Sequence, residues 1–258
     1  MPRYAHVVVI MEENKNYEQI LDPSIAPNLA GWAKAYGTAT HFYGEVHPSE
    51  GNYVALLAGD TFGIHDDDAF YCRPGQVDPE CPGAAAAGYV DHTVHSRHLG
   101  EQLEAHGLSW KGYYEDIPAP GSFAVWAGGP TPAPPHIGLY ASKHAGFVNF
   151  ASVQADPKRA EHLVGFDRLD ADLAANRLPN FALVVPNQCN EMHGLRITNP
   201  PAGCDGADPV GLIHRGDTVL EIWSQRSRPR LRGARRATSP SSSPSTKAAP
   251  EPATTVAG

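Results

Sequence analysis

No apolar run in these 258 residues approaches the ~20 that a membrane-spanning helix requires, so no helical span is expected. Cationic side chains are in the minority. Twenty Lys and Arg against 28 Asp and Glu leave a formal charge of -8, which argues against nucleic acid as a partner. Cysteine is scarce, with only four, and no CxxC is present, so zinc ribbons and thioredoxin chemistry are not expected. The start, "MPRYAHVVVIM", has neither the long apolar stretch nor the small-residue cleavage site of a signal peptide, so none is read in this chain. There is no internal repeat.

What is present is a hydrophobic fraction of 41%, enough for the core of one large α/β domain or two small ones. "HVVVIM" (6–11), "SWKGYYE" (109–115) and "FALVVPN" (181–187) read as strands, and "ATHFYGEV" (39–46) as another. Helical spacing marks 26–37, "NYVALLAG" (52–59), "HSRHLGEQLEAHG" (95–107) and "RGDTVLEIW" (215–223). Residues 64–90 read as a long loop. Alternating strands and helices predict a largely parallel sheet with helices on both faces, and ligands near the carboxyl ends of its strands. From residue 225 the chain turns to Arg, Ser, Pro and Thr, and 225–258 is expected to be a disordered tail. Local pairing of Cys72 with Cys81 and Cys189 with Cys204 would suit a secreted protein.

Candidate chemistry gathers in four places. Glu13 and Asn14 follow the first strand, where they could ligate a hard cation or simply begin a helix. Ser49, in "HPSEGNY", stands on the first turn of a helix, either as a cap or as a nucleophile. "VPNQCNEMHG" places Asn187, Asn190, Glu191 and His193 directly after a buried strand, where a histidine could protonate a leaving group. Lys143 and His144 form a cationic pair suited to phosphate, or an ordinary surface Lys beside a satisfied His. His92, His95 and His98 are too spread around a helix for a metal. "HDDD" (65–68) reads more readily as a solvated acidic loop than as a cation site.

Taken in order, "HVVVIMEENKNYEQIL", "HPSEGNYVALLAGDTFGI", "KHAGFVNF", "VPNQCNEMHG" and "GDTVLEIW" resemble the bacterial phosphoesterase family, over roughly residues 5–223. That family includes secreted acid phosphatases and phosphatidylcholine-type phospholipases C. The resemblance implies an alkaline-phosphatase-like fold over 1–224, secretion, and a monomer acting on phosphate esters, phosphoinositide headgroups among them. It implies Ser49 as nucleophile and His193 as proton donor, with Glu191 in a place usually held by Asp. Asn52, Lys143, His144 and Asn187 are the expected substrate contacts. Glu13, Asn14 and Ser49 are the expected ligands of a divalent metal ion. The acidic "WDE"-type pair that completes this site in many members is missing, so the domain reads as C-terminally incomplete and metal-independent work stays open. A phosphomonoesterase is the first expectation. A phospholipase C-like phosphodiesterase and an inactive phosphate-binding remnant are the alternatives.

Overall fold

The computed structural model describes residues 4–129, 136–234 and 254–257. In chain order the elements are β1 (Val7–Glu12), α1 (Tyr17–Ile20), α2 (Pro27–Tyr36), α3 (Glu50–Ala58), α4 (Leu99–Glu104), β2 (Trp110–Tyr114), β3 (Trp126–Ala127) and β4 (Tyr140–Ala141). Then follow α5 (Ala151–Ala155), α6 (Arg159–His162), β5 (Leu163–Val164), α7 (Phe166–Ala174), β6 (Phe181–Val185), α8 (Pro209–Ala234) and β7 (Thr254–Ala257). The main sheet has the order β5-β2-β6-β1-β7, and every neighbour in it runs parallel. Parallel neighbours need crossover connections, and the helices supply them.

β6 is the strand around which the core forms, and all five of its residues are buried. The period-2 pleat sends them two ways. Phe181, Leu183 and Val185 join Tyr53, Val54 and Leu57 of α3 on one face. Ala182 and Val184 join Leu169 and Leu173 of α7 on the other. A fully buried Leu such as Leu183 contributes about 1.5–3 kcal/mol by leaving water. The expected parallel sheet with helices on both faces is therefore present.

Three local expectations differ. Residues 39–46 form no strand. The amide of Asn52 takes up their backbone groups, accepting from Glu45 N at 2.7 Å and Val46 N at 3.2 Å and donating to the Val46 carbonyl at 2.8 Å. Those groups are then not available to a sheet ladder. The helix read from residue 95 begins only at Leu99, because the His98 ring accepts from Gly100 N and caps it. The third is the tail. Helix α8 continues to Ala234, and the β-branched Thr254–Ala257 pairs with the outer edge of β1. Residues 235–253 of the expected tail lie outside the described residues.

Candidate active site at the carboxyl ends of the strands

β1 delivers two adjacent carboxylates to opposite faces. Glu12 points toward α8, where its Oε2 would lie 3.0 Å from a Cβ added at Gly216. Glu13 points to the other side and accepts a hydrogen bond from the Ser49 hydroxyl at 3.2 Å. Asn14 then takes the left-handed region (φ 59°), which lets the chain turn away from the sheet. The backbone N–H of Glu13 donates to the Glu191 carbonyl at 2.6 Å, tying the end of β1 to the loop after β6.

Ser49 does not cap α3. It has helical dihedrals (φ -70°, ψ -43°) and makes no capping hydrogen bond. Asp67 meets that need instead, accepting from Glu50 N at 3.1 Å. The other oxygen of Asp67 lies 2.8 Å from the Lys143 ammonium. The serine hydroxyl is thereby left to Glu13.

His144 is buried between two carboxylates. Its Nε2 is 3.8 Å from Glu13 Oε1 and its Nδ1 is 2.6 Å from Glu191 Oε1. The contact with Glu191 is close but not aligned as a hydrogen bond, so both Glu191 oxygens lack a donor. Tyr53 stacks on the ring at 5.3 Å. Burial pushes His144 down to about 4, against the pull of Glu13. His193 lies edge-on to it at 5.3 Å, and burial and the charge of His144 push its ring down to about 3. His193 Nδ1 is 2.9 Å from the Gly194 carbonyl, which places its proton there and leaves Nε2 as an acceptor. Burial raises the carboxyls of Glu12, Glu13 and Glu191 above their usual range, with the charge of Glu191 adding to the effect on the first two.

The structure thus brings together Glu13, Ser49, His144, Glu191 and His193, with Lys143 beside them. It also adds Lys15, whose ammonium donates to the Met192 carbonyl at 2.6 Å and lowers the charge cost of Glu13 and Glu191. Asn52 and Asn187, expected to touch substrate, spend their amides on the fold. Asn187 donates to Asp116 at 2.8 Å and accepts from Cys189 N and Asn190 N at 3.0 Å.

The metal ion that the resemblance implies finds a partial set of donors. Glu13 and Ser49 share a hydrogen bond, and Asn14 is exposed. Among the described residues no three His, Cys, Asp or Glu converge as a cation would need. The donors present do not fit a metal site by themselves, and Lys15 and Lys143 bring the positive charge near Glu13 and Glu191.

A model of the phosphoesterase family matches residues 21–203, a span that contains Ser49, Lys143, His144, Glu191 and His193. The chain belongs to the phosphoesterase family. It is 31% identical over 193 residues to a phosphatidylinositol-3-phosphatase of Mycobacterium tuberculosis, covering 75% of this chain and 53% of that one. It is 29% identical to an acid phosphatase of Aspergillus fumigatus (72% of this chain, 36% of that one). It is also 29% identical to a phosphate-repressible acid phosphatase of Penicillium chrysogenum (76% and 40%). The chain therefore spans about half, or less, of the curated relatives it matches.

In this member of the phosphoesterase family the "HDDD" segment is not a solvated loop. Asp68 is buried and accepts from the Tyr89 hydroxyl, while Asp66 faces His92. Both expected cysteine pairs are disulfides. Cys189–Cys204 brackets Glu191 and His193 across a separation of 15 residues. A loop of that length gains about 3 kcal/mol from its cross-link. The pair Cys189→Ala and Cys204→Ala is expected to lower unfolding stability by about that amount. It should also cost more turnover than Cys72→Ala with Cys81→Ala, whose cross-link does not bracket Glu191 and His193. Chemical denaturation and phosphate-ester kinetics of the two double variants check this, and equal kinetic losses would overturn it.

Proposed function

We propose that the chain hydrolyses phosphate monoesters through a phosphoserine at Ser49, on a fold of the alkaline-phosphatase type. One observation carries the reading. A helix-start serine, relieved of capping by Asp67, gives its hydroxyl to a buried carboxylate. Buried Glu13 is a stronger base than a free carboxylate, because burial raises its pKa.

In the first step Ser49 Oγ forms a bond to phosphorus as the ester P–O bond breaks, and its proton passes to Glu13. The arriving phosphate dianion favours a charged His193, which gives its proton to the leaving oxygen. Lys143 and Lys15 supply positive charge for the phosphoryl oxygens. In the second step water attacks the phosphoserine and its proton goes to His193. The P–Oγ bond breaks, Glu13 returns the proton to Ser49, and inorganic phosphate leaves. Ser49 and Glu13 are then back in their starting states, and His193 gives up to solvent the proton it held with the phosphate bound, returning to its neutral resting form. A divalent cation at Glu13 and Ser49 belongs to the same reading only if donors beyond the described residues join them. When bound it would stabilise charge on the phosphoryl oxygens.

The relatives' names support a monoester, with a phosphoinositide headgroup as one candidate. The two disulfides support an oxidising, extracytoplasmic setting. No helix among the described residues is long and apolar enough to cross a membrane. The test is turnover of p-nitrophenyl phosphate against bis(p-nitrophenyl) phosphate by the purified chain. The expected result is a monoester preference of about tenfold or more in kcat/KM, worth about 1.4 kcal/mol of barrier. A diester preference would point to the phosphodiesterase. Turnover of neither, with inorganic phosphate still bound, would leave a phosphate-binding protein.

A further inference from the structure

Behind Ser49 lies a buried polar chain that the reaction above does not use. Glu50, the next residue, turns its side chain away from the site and is fully buried. Its Oε1 accepts from the Asn149 amide and lies 3.2 Å from His92 Nδ1. Asn149 also donates to the His92 carbonyl at 3.1 Å, and His92 Nε2 is 3.2 Å from Asp66. Three fully buried polar side chains from three separate segments are thus joined directly beneath the first turn of α3. Such a network costs stability unless its members are paired, and when paired it fixes one arrangement.

The backbone at this turn has no slack. A Cβ added at Gly51 would meet the Ile64 carbonyl oxygen at 2.4 Å and a Val46 methyl at 2.7 Å. Asp67, next to Asp66, holds Glu50 N and Lys143 at once. One short acidic segment therefore anchors both the serine turn and the lysine beside it.

We propose that Glu50 is a positioning residue for Ser49, acting through its hydrogen bonds to Asn149 and His92 to set the direction of the serine hydroxyl toward Glu13. The inference rests on Ser49 being the nucleophile. It concerns hydrogen-bond geometry rather than charge, since one oxygen, Oε1, takes both contacts while Oε2 has no donor. A glutamine keeps that oxygen. A leucine of similar size does not.

The test compares p-nitrophenyl phosphate kinetics of wild type, Glu50→Leu and Glu50→Gln at matched folded concentration. Misplacing an attacking atom by about 1 Å costs up to about a hundredfold, so Glu50→Leu is expected to lower kcat by about ten- to a hundredfold. KM should stay within about twofold, because Asp67 still holds Lys143 through contacts that do not involve the Glu50 side chain. Glu50→Gln is expected to restore kcat to within about threefold of wild type. If Glu50→Leu does not fold, Asn149→Ser, which removes the amide donor to Glu50, is read in the same way. Wild-type kcat in the folded Leu variant would overturn the proposal, as would a loss confined to KM or a failure of Gln to rescue. Active wild type with any of these results overturns positioning alone. Inactive wild type overturns the serine reaction and this inference with it.

Discussion

Ser49→Ala is expected to lower kcat/KM for p-nitrophenyl phosphate by about a thousandfold or more, the scale on which enzymes lose activity when a nucleophile is removed. The same variant should bind inorganic phosphate within a few-fold of wild type and melt close to it. The two halves of this prediction have separate physical grounds. Activity falls because no other group takes the place of Oγ. Stability holds because the hydroxyl does not cap α3, a duty that falls to Asp67. Were Ser49 a cap, alanine would cost about 0.5–2 kcal/mol and leave turnover alone. Kinetics and thermal melting of one variant therefore separate nucleophile from cap. A destabilised, fully active Ser49→Ala would sink the phosphoserine mechanism.

That separation was not available in the sequence, and the reason is specific. "HPSEGNY" shows a serine at a helix start, and both roles share that local pattern. What distinguishes them is an acceptor 36 residues before Ser49 and a substitute cap 17 residues after Glu50. The strands were legible because β-branched runs such as "VVVI" and "FALVV" have few other conformations that bury them. Residues 39–46 have a similar strand-like composition and still fail as a strand, because the Asn52 amide takes their backbone bonds. The loop after β6 was legible as a cluster, since Glu191 and His193 stand either side of Met192. The long-range pairings around it were not. Lys143 meets Asp67 across 76 residues, Lys15 reaches Met192 across 177, and Asn149 meets Glu50 across 99. Such convergence is a product of the sheet, which carries distant turns to one edge.

Glu13→Gln is the second large effect. Glutamine keeps the shape and can accept from Ser49, but it cannot take the proton. Loss of a general base costs about 10²–10⁴-fold, and that range is the expected fall in kcat. The pH dependence follows from direction. Burial raises Glu13, so wild-type turnover should fall as pH drops through a value above the usual carboxylate range, and the residual activity of Glu13→Gln should lack that limb. Stability should move the other way. A carboxyl whose folded pKa is raised is favoured neutral in the fold, so its stabilising contribution is lost as pH rises through that pKa. Glutamine is neutral at every pH and avoids that loss. The variant is thus expected to be nearly inactive yet at least as stable as wild type at pH 8, read by stopped assays and thermal melts across pH 4–8. EDTA separates this role from that of a metal ligand. If Glu13 is a base, chelation leaves wild-type kcat unchanged. A loss in EDTA that is restored by added divalent cation would make Glu13 a ligand, and the proton from Ser49 would then have to leave by another route.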